Sequence, residues 1–443
     1  MSHQSILRIT REVSEIEKGN DLSLAIAYKE SDIRNIKALI VGPPGTPYEF
    51  GFFEFSVNFP EDYPGNPPKV TALTTNSGRC RFNPNIYAGG KVCLTWPGKE
   101  GEGWSSAQCL ESVLISIQSL MSSNPYENEP GYEDANSNED RQAMTDYVAK
   151  IKHETLRIAV IQPLEESLNI SKTMPGVDDA DKMKDDSDDA NNAEKEKSKR
   201  RQSFQPFDDL RKRRFLWYYE SYMHTIDVES EKVKLNDPFR EMRFEYRLNT
   251  MRGCFNYPDL KERLIRIRDE IMKETQRWAI EGLKTKTDDL CIASNLSTQL
   301  QQIMGDFEEQ KNSSLHLSLV DDNPFVWGIT YFGCPSTHLD GGVFNIKIHI
   351  SPRFPQEQPR IFFEKPIFHH HVSKGGMLCY HTNRPGELKC HIEAVVQTIE
   401  EESPPFDPRT TVNLEASRLF WGTPEDRKKY IRALRRSLED STS

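Results

Sequence analysis

Two cysteines of this chain stand in matched surroundings. Residues 82–94 read FNPNIYAGGKVCL and residues 368–380 read FHHHVSKGGMLCY. Both stretches begin with Phe, both carry Gly-Gly-x-x-Cys, and Cys93 and Cys379 fall at the same offset from that Phe. A thiol does covalent chemistry when it is ionised and reachable. Outside such a setting it is most simply a small buried hydrophobe. The second stretch also invites a metal reading, because His369, His370, His371, Cys379, Cys390 and His391 lie close in sequence. Successive histidines on a strand or turn point different ways, however, and no CxxC or HxxxH unit anchors a tetrahedral site. No metal is expected.

The elements that would position the two stretches repeat with them. Ahead of the first, Ile6, Ile9, Val13 and Ile16 mark a helix over 3–17. In GFFEFSVNF, Phe53, Phe55, Val57 and Phe59 alternate with Glu54, Ser56 and Asn58, the period of a half-buried strand. A Pro-rich turn, EDYPGNPPKV, leads to another strand. Beyond Cys93, Leu110, Val113, Leu114, Ile117, Leu120 and Met121 mark one helix face, and a further helix over 138–162 is expected to end at Pro163. The second stretch has the same order. A helix carrying Leu296, Leu300, Ile303 and Phe307 precedes the alternating strand GGVFNIKIHI, the turn SPRFPQEQPRIFF, the Cys loop, and helical sequence to the end. Two copies of one α+β domain explain this order, each an antiparallel four-stranded meander with a helix before it and helices after it.

A chain of 443 residues is too long for one ordinary core. Residues 172–203 carry a run of acids and then bases with almost no apolar residue, so a disordered charged linker is expected there. Residues 206–282 read as helical. The expected division is a first domain over 1–171, the linker over 172–203, a helical extension over 204–285 and a second domain over 290–443. A net charge of −11 argues against non-specific nucleic-acid binding, which needs a basic surface. There is no 18-residue apolar run and no signal-peptide pattern, so neither membrane insertion nor secretion is expected. The eight cysteines, with no CxxC pair, read as reduced thiols, and cytoplasm or nucleus is the expected setting.

The motifs FPEDYPGNPPKV, FNPNIYAGGKVCL, GWSSA and NPYENEP, in that order, resemble the ubiquitin-conjugating enzymes. The likeness is greatest to the long Z-type branch. It extends through SVLISIQSLM and HETLRIAV and, beyond the charged stretch, to FLWYYESYM and NDPFREMRFEY, covering roughly 3–275. The second copy resembles the same fold more loosely, and its loop looks like the variant reading His-Pro-His in place of His-Pro-Asn.

The resemblance implies an acyl relay. An activating enzyme spends ATP to make a ubiquitin thioester, the conjugating enzyme's Cys takes the acyl group, and an acceptor amine attacks it. Cys93 matches that carrier thiol. Gly89 and Gly90 would let the backbone hug the modifier's flexible tail. Asn85, eight residues before Cys93, matches the motif Asn. Its amide would donate to the oxyanion formed at the carbonyl or pin the loop by bonding backbone, and the sequence leaves both open. Asn83 stands where the motif His usually is and reads as structural. Glu127 falls at the family's acidic gate, beside Tyr126 and Asn128. In the second copy Cys379 is the matching thiol and His371 stands in Asn85's place. A neutral imidazole would donate like the amide, and a protonated one would favour a neighbouring thiolate. Asp407 lies near the gate position, but no tryptophan turn follows the loop. A second reading makes this copy a ubiquitin- or partner-binding module. Implied partners are ubiquitin or a ubiquitin-like modifier, the activating enzyme, and ligases or direct protein substrates. Gly65 and Ser105-Ser106-Ala107 depart from the usual ligase-contact residues. Arg8 and Arg11 are candidate contacts for the activating enzyme. No bound cofactor is implied, since ATP is used by the partner.

Overall fold

A computed structural model of the chain describes residues 3–19, 21–94, 103–170, 204–246, 250–288, 290–309 and 314–442. The charged stretch expected as a linker lies outside them. Among the described residues two copies of one α+β arrangement follow each other. The first consists of α1 (His3–Lys18), β1 (Leu24–Lys29), β2 (Asp32–Val41), β3 (Phe52–Asn58), β4 (Lys69–Ala72), α2 (Leu110–Ser119), a 3-10 turn at Pro125–Asn128, α3 (Asn138–Glu154) and α4 (Gln162–Ser167). Two helices follow, α5 (Asp208–Ser230) and α6 (Tyr257–Asp288). The second copy runs α7 (Leu290–Glu309), β5 (Leu315–Val320), β6 (Asn323–Phe332), β7 (Val343–His349), β8 (Arg360–Phe363), α8 (Leu388–Glu400), α9 (Leu414–Phe420) and α10 (Pro424–Thr442). Each sheet is a four-stranded meander in sequence order.

Alternation in the strands builds the cores. Ile40 lies opposite Phe53, Ala38 opposite Phe55 and Ile36 opposite Val57, and this face packs on Ile9 and Val13 of α1. In the second sheet Tyr331 faces Phe344, Ile329 faces Ile346 and Trp327 faces Ile348, packing on Leu296, Leu300 and Ile303 of α7.

Three expectations change. First, β3 is covered on both faces. Phe52, with Leu39 and Val41 of β2, forms one buried cluster with Phe215, Tyr218 and Tyr222 of α5. Glu54, also on this face, takes hydrogen bonds from Lys37 and Arg211. A helix from beyond the first copy therefore occupies the face that strand periodicity would give to water. Second, Pro163 does not end its helix. Residues Thr155–Ile161 form a π-helical stretch, and α4 continues to Ser167 with Pro163 in its first turn. The wider turn makes room for the proline ring, which would otherwise clash with the carbonyl four residues back.

Third, residues 206–282 are not helical throughout. Between α5 and α6 the chain returns to the first copy. Met242, Phe244 and Met251 join that copy's core. Phe244 sits among Tyr126, Tyr132 and Tyr147 at ring distances of 5.5, 6.0 and 5.4 Å. Beside it the Lys150 ammonium donates to the Glu245 carboxylate at 2.6 Å, both side chains fully buried. Such a pair is costly to break, about 3–5 kcal/mol, because one charge would be left buried alone.

Candidate active site

The two Cys loops share one backbone. Cys93 donates its N–H to Asn85 O at 2.8 Å, and Cys379 donates to His371 O at 2.9 Å. Ala72 of β4 donates to Gly90 O, and Phe363 of β8 to Gly376 O, each at 2.8 Å. Gly90 and Gly376 have φ of 87° and 82°. A Cβ would lie 2.8 Å from Ala72 O at the first and 2.6 Å from Phe363 O at the second. The glycine is thus required by the loop's approach to its own sheet. Gly89, with open space around it and no such backbone angle, is the one that leaves the loop's outer side uncluttered.

In the first copy the loop is pinned from within. Asn83 is fully buried; its Nδ2 donates to Tyr48 Oη at 3.0 Å and to Leu120 O at 2.8 Å, while its Oδ1 accepts from Asn85 N at 2.9 Å. Asn85 Nδ2 reaches Asn128 O at 3.4 Å, the end of the 3-10 turn that carries Glu127. The structure therefore gathers Asn85, Cys93 and the Pro125–Asn128 turn, and one donor of the Asn85 amide ties loop to turn. Glu127 itself is exposed to solvent. Cys93 is half-buried. Trp104, ahead of α2, donates Nε1 to Pro64 O at 2.8 Å and so ties the Pro turn to the chain entering α2. Arg8 is turned inward, bonding Glu12 and Gln108 O (3.3 Å), whereas Arg11 stays exposed and pairs with Glu15 at 2.9 Å.

Two residues here were not singled out by spacing. Burial, and after it the neighbouring Cys93 thiol, raises the pKa of the Tyr87 hydroxyl. Arg81 lies against the Tyr87 ring, guanidinium to centroid 4.9 Å. A charged residue in the slot that Ile367 fills in the second copy was the available signal.

The second loop differs in what covers it. His371 repeats Asn85's pinning role, its Nδ1 donating to Thr410 O at 2.8 Å. Burial holds its pKa below the ordinary value, with Thr410 O and Asp407 opposing, so the ring is neutral. This corrects the alternative of an imidazolium poised to ionise the thiol. Cys379 is only 2% exposed. Burial pushes its thiol up to about 12, with Arg214 opposing. The cover is α5. Trp217 donates Nε1 to Leu378 O at 3.1 Å, and Met377 and Cys379 share one buried cluster with Phe215 and Tyr218. The other side of α5 lies on the first copy, with Tyr218 stacked on Phe50 at 4.0 Å and Tyr222 Oη donating to Phe50 O at 2.8 Å. Asp209 of α5 accepts from Arg360 at 2.8 Å and from Gln358 N at 3.1 Å. Burial opposes its charge, but Arg360 and Arg213 outweigh that and hold its pKa below the usual range. Asp407, near the gate position, pairs with Arg409, which reaches across to Asp21 of the first copy at 2.6 Å. Among the described residues no group of three or more His, Cys, Asp or Glu is placed to hold a metal ion.

A family model described as ubiquitin-conjugating enzyme matches residues 8–155 and 297–429, one span in each copy. Ubiquitin-conjugating enzyme E2 Z of Xenopus tropicalis is 48% identical over 165 residues, 37% of this chain and 52% of that protein. The Homo sapiens protein of the same name is 36% identical over 273 residues, 61% of this chain and 64% of its own length. The probable ubiquitin-conjugating enzyme protein 17 of Caenorhabditis elegans is 41% identical over 168 residues, 36% of this chain and 23% of that protein. The chain thus spans about half to just under two-thirds of the E2 Z relatives it matches.

Proposed function

The chain belongs to the ubiquitin-conjugating enzyme family, with a match in each of its two copies, and we propose that its first copy carries ubiquitin or a ubiquitin-like modifier as a thioester on Cys93. The Cys93 thiolate attacks the acyl carbon of the thioester presented by an activating enzyme. A new S–C bond forms and the activating enzyme's thiolate leaves. An acceptor amine, delivered by a ligase or as part of a direct substrate, then attacks the same carbon. The tetrahedral oxyanion collapses to an amide, Cys93 departs as thiolate, and the amine gives up a proton. ATP is spent by the activating enzyme, and the chain itself needs no cofactor. Asn85 supports this step by fastening the loop to the turn at Asn128, with the amide's second N–H as the candidate oxyanion donor. Glu127, exposed on that turn, is placed to meet an incoming cation such as a lysine.

The observation that carries this reading is the contrast in access. Cys93 is half-buried at a loop surface, while Cys379 is sealed beneath α5. The same contrast favours the second copy as a docking module. Its thioester-side face is used to hold α5, and through α5 the first copy. The test incubates the full chain with activating enzyme, ATP and ubiquitin and compares non-reducing gels of wild type, Cys93→Ala and Cys379→Ala. Wild type and Cys379→Ala should form one reducible adduct and Cys93→Ala none. Full charging of Cys93→Ala would overturn the assignment, and a reducible adduct on Cys379 would restore the second carrier.

A further inference from the structure

The Cys93 loop meets the turn that carries Glu127 where Asn85 Nδ2 reaches Asn128 O at 3.4 Å. A bond of that length is weak and does not place the turn by itself. Among the described residues no backbone hydrogen bond joins the loop, residues 82–94, to the turn, residues 124–130. The second copy is built otherwise. There the N–H groups of Val412 and Asn413 both donate to His370 O, at 3.0 and 3.3 Å, so main chain fixes the corresponding segment to its loop. Those bonds lie beside Thr410, whose carbonyl His371 holds.

In the first copy side chains take that part. Leu120 caps the C-terminus of α2, and its carbonyl is one of those a helix end leaves without a partner inside the helix. Asn83 Nδ2 donates to Leu120 O at 2.8 Å, and Asn128 Nδ2 donates to the same oxygen at 2.7 Å. Two amides, one from the loop and one from the turn, thus fill the two lone pairs of one carbonyl. Asn83 Oδ1 then accepts from Asn85 N at 2.9 Å. Arg81, just before the loop, adds a longer bond to Glu129 at 3.3 Å. In the second copy His369 takes Asn83's place and repeats the bond to the loop, its Nδ1 accepting from His371 N at 3.2 Å. The shared carbonyl belongs to the first copy, where the accessible thiol is.

We propose that Asn128 is a positioning residue for acyl transfer from Cys93: its side chain, anchored on Leu120 O, places the carbonyl that turns the Asn85 amide. With one Asn85 N–H held by Asn128 O, the other is aimed rather than free to rotate. This rests on Cys93 being the acyl carrier and on Asn85 serving the oxyanion there. Removing the Asn128 side chain leaves its carbonyl in the chain but takes away the short bond that fixes where it stands.

The test uses the full chain carrying Asn128→Ala, Asn128→Gln, Asn85→Ala and the Asn85→Ala/Asn128→Ala pair. Single-turnover discharge of the preloaded thioester onto free lysine is followed against lysine concentration. Asn128→Ala should slow discharge at saturating lysine about tenfold with the half-saturating concentration unchanged. Asn128→Gln, which keeps an amide on a longer stem, should recover part of that loss. On the Asn85→Ala background, Asn128→Ala should slow discharge by less than about a further twofold, because both act through one amide. Multiplying losses overturn the proposal, as does discharge by Asn128→Ala equal to wild type. A raised half-saturating concentration with an unchanged maximum would assign Asn128 to acceptor binding and overturn it too. Hydrogen exchange needs no ubiquitin and separates the two readings. Asn128→Ala should speed exchange at least about threefold in peptides spanning the loop and the turn and leave β2 unchanged. A wild type that forms no adduct, with this exchange pattern on substitution, removes the carrier reading and leaves the anchoring of loop and turn standing. Unchanged exchange in the loop overturns the anchoring itself. If Asn128→Ala does not fold, Asn128→Gln must show both effects in smaller measure, and wild-type behaviour in both counts against the proposal.

Discussion

The Cys93 and Cys379 loops differ little in backbone and greatly in surroundings. Both cysteines donate to the carbonyl of the residue eight positions before them, and both loops cross their sheets at a glycine with φ near 85°, 87° at Gly90 and 82° at Gly376. Asn85 and His371 even reach for equivalent partners, Asn128 O and Thr410 O. The outward-facing residues separate them. Tyr87 and Lys91 line the first loop, where Ser373 and Met377 line the second. Met377 is 4% exposed beneath α5, whereas Lys91 lies in solvent. The Gly-Gly-x-x-Cys spacing therefore specifies a path for the chain. Whether the thiol at its end can react is decided by a helix that lies some 160 positions away in sequence.

The largest expected consequence is in thiol reactivity. With its pKa pushed up to about 12, the Cys379 thiol at pH 8 is ionised in only about one molecule in ten thousand. Burial then limits the reagent to moments when α5 lifts away. In native protein treated with iodoacetamide and mapped by mass spectrometry, Cys379 should label at least about a hundredfold more slowly than Cys93. Trp217→Ala removes the indole that bonds Leu378 O, at a cost of about 3–5 kcal/mol, and should narrow that gap steeply. Comparable labelling of the two cysteines in wild type would end the contrast on which the assignment of roles depends.

That contrast also marks what the sequence could and could not tell. Period-2 alternation at Phe53–Phe59 and at Phe344–Ile350 reports which side chains face the cores, and both meanders follow from it. It reports nothing about the opposite face, because Phe52 and Leu39 would suit an exposed edge of the alternation as well as a second interface. The cover on Cys379 is a long-range event of the same kind. Trp217 and Tyr218 read as ordinary apolar positions on α5, and no local pattern states which loop they will meet. Arg81 was legible in principle, as a cation in a slot filled elsewhere by isoleucine, but its partners at Phe244 and Glu129 exist only in the fold.

Acid should sharpen the comparison next. Burial lowers the pKa of His349, His369, His370, His371 and His391 in the second copy, to about 4 for His349 and His391. Lys347 adds to the effect at His349 and Arg213 at His391, while Asp407 opposes it at His371. In the unfolded chain these rings titrate near roughly 6.5. Above that pH both states are neutral and the second copy keeps its full stability. As pH falls from there towards 4, the unfolded chain takes up protons that the folded one refuses, and stability is lost. At pH 5.5 the loss is about 1 kcal/mol each for His349 and His391. The first loop has Asn83 and Asn85 at two of the matching positions and nothing to titrate there. Hydrogen exchange, corrected for the intrinsic pH dependence, should show β7 and β8 losing protection between pH 7.5 and 5.5 while β2 and β3 lose less. His371→Asn, which copies the first loop, should return part of the stability lost between pH 7.5 and 5.5. Equal losses in both sheets would mean that the histidines are not what distinguishes the copies.

The smallest effect concerns the pair that bridges the copies most visibly. Arg409 reaches Asp21 at 2.6 Å, but the two side chains are 30% and 38% exposed. Water screens such a pair, and it contributes about 0.2–1 kcal/mol. Arg409 also keeps Asp407 at 2.9 Å within its own copy, so its position does not depend on Asp21. The buried joint is of another order. Arg360 and Asp209 meet with side chains 1% and 12% exposed, next to the Trp217 contact, and losing one partner there leaves a charge without water. Asp21→Asn should therefore raise the rate of Cys379 labelling by less than about fivefold, the factor that corresponds to 1 kcal/mol of opening free energy. If instead it exposed Cys379 as far as Trp217→Ala does, the copies would be joined by surface charge. Salt would then release the second thiol, and the burial that separates Cys379 from Cys93 would be a matter of ionic strength rather than of the fold.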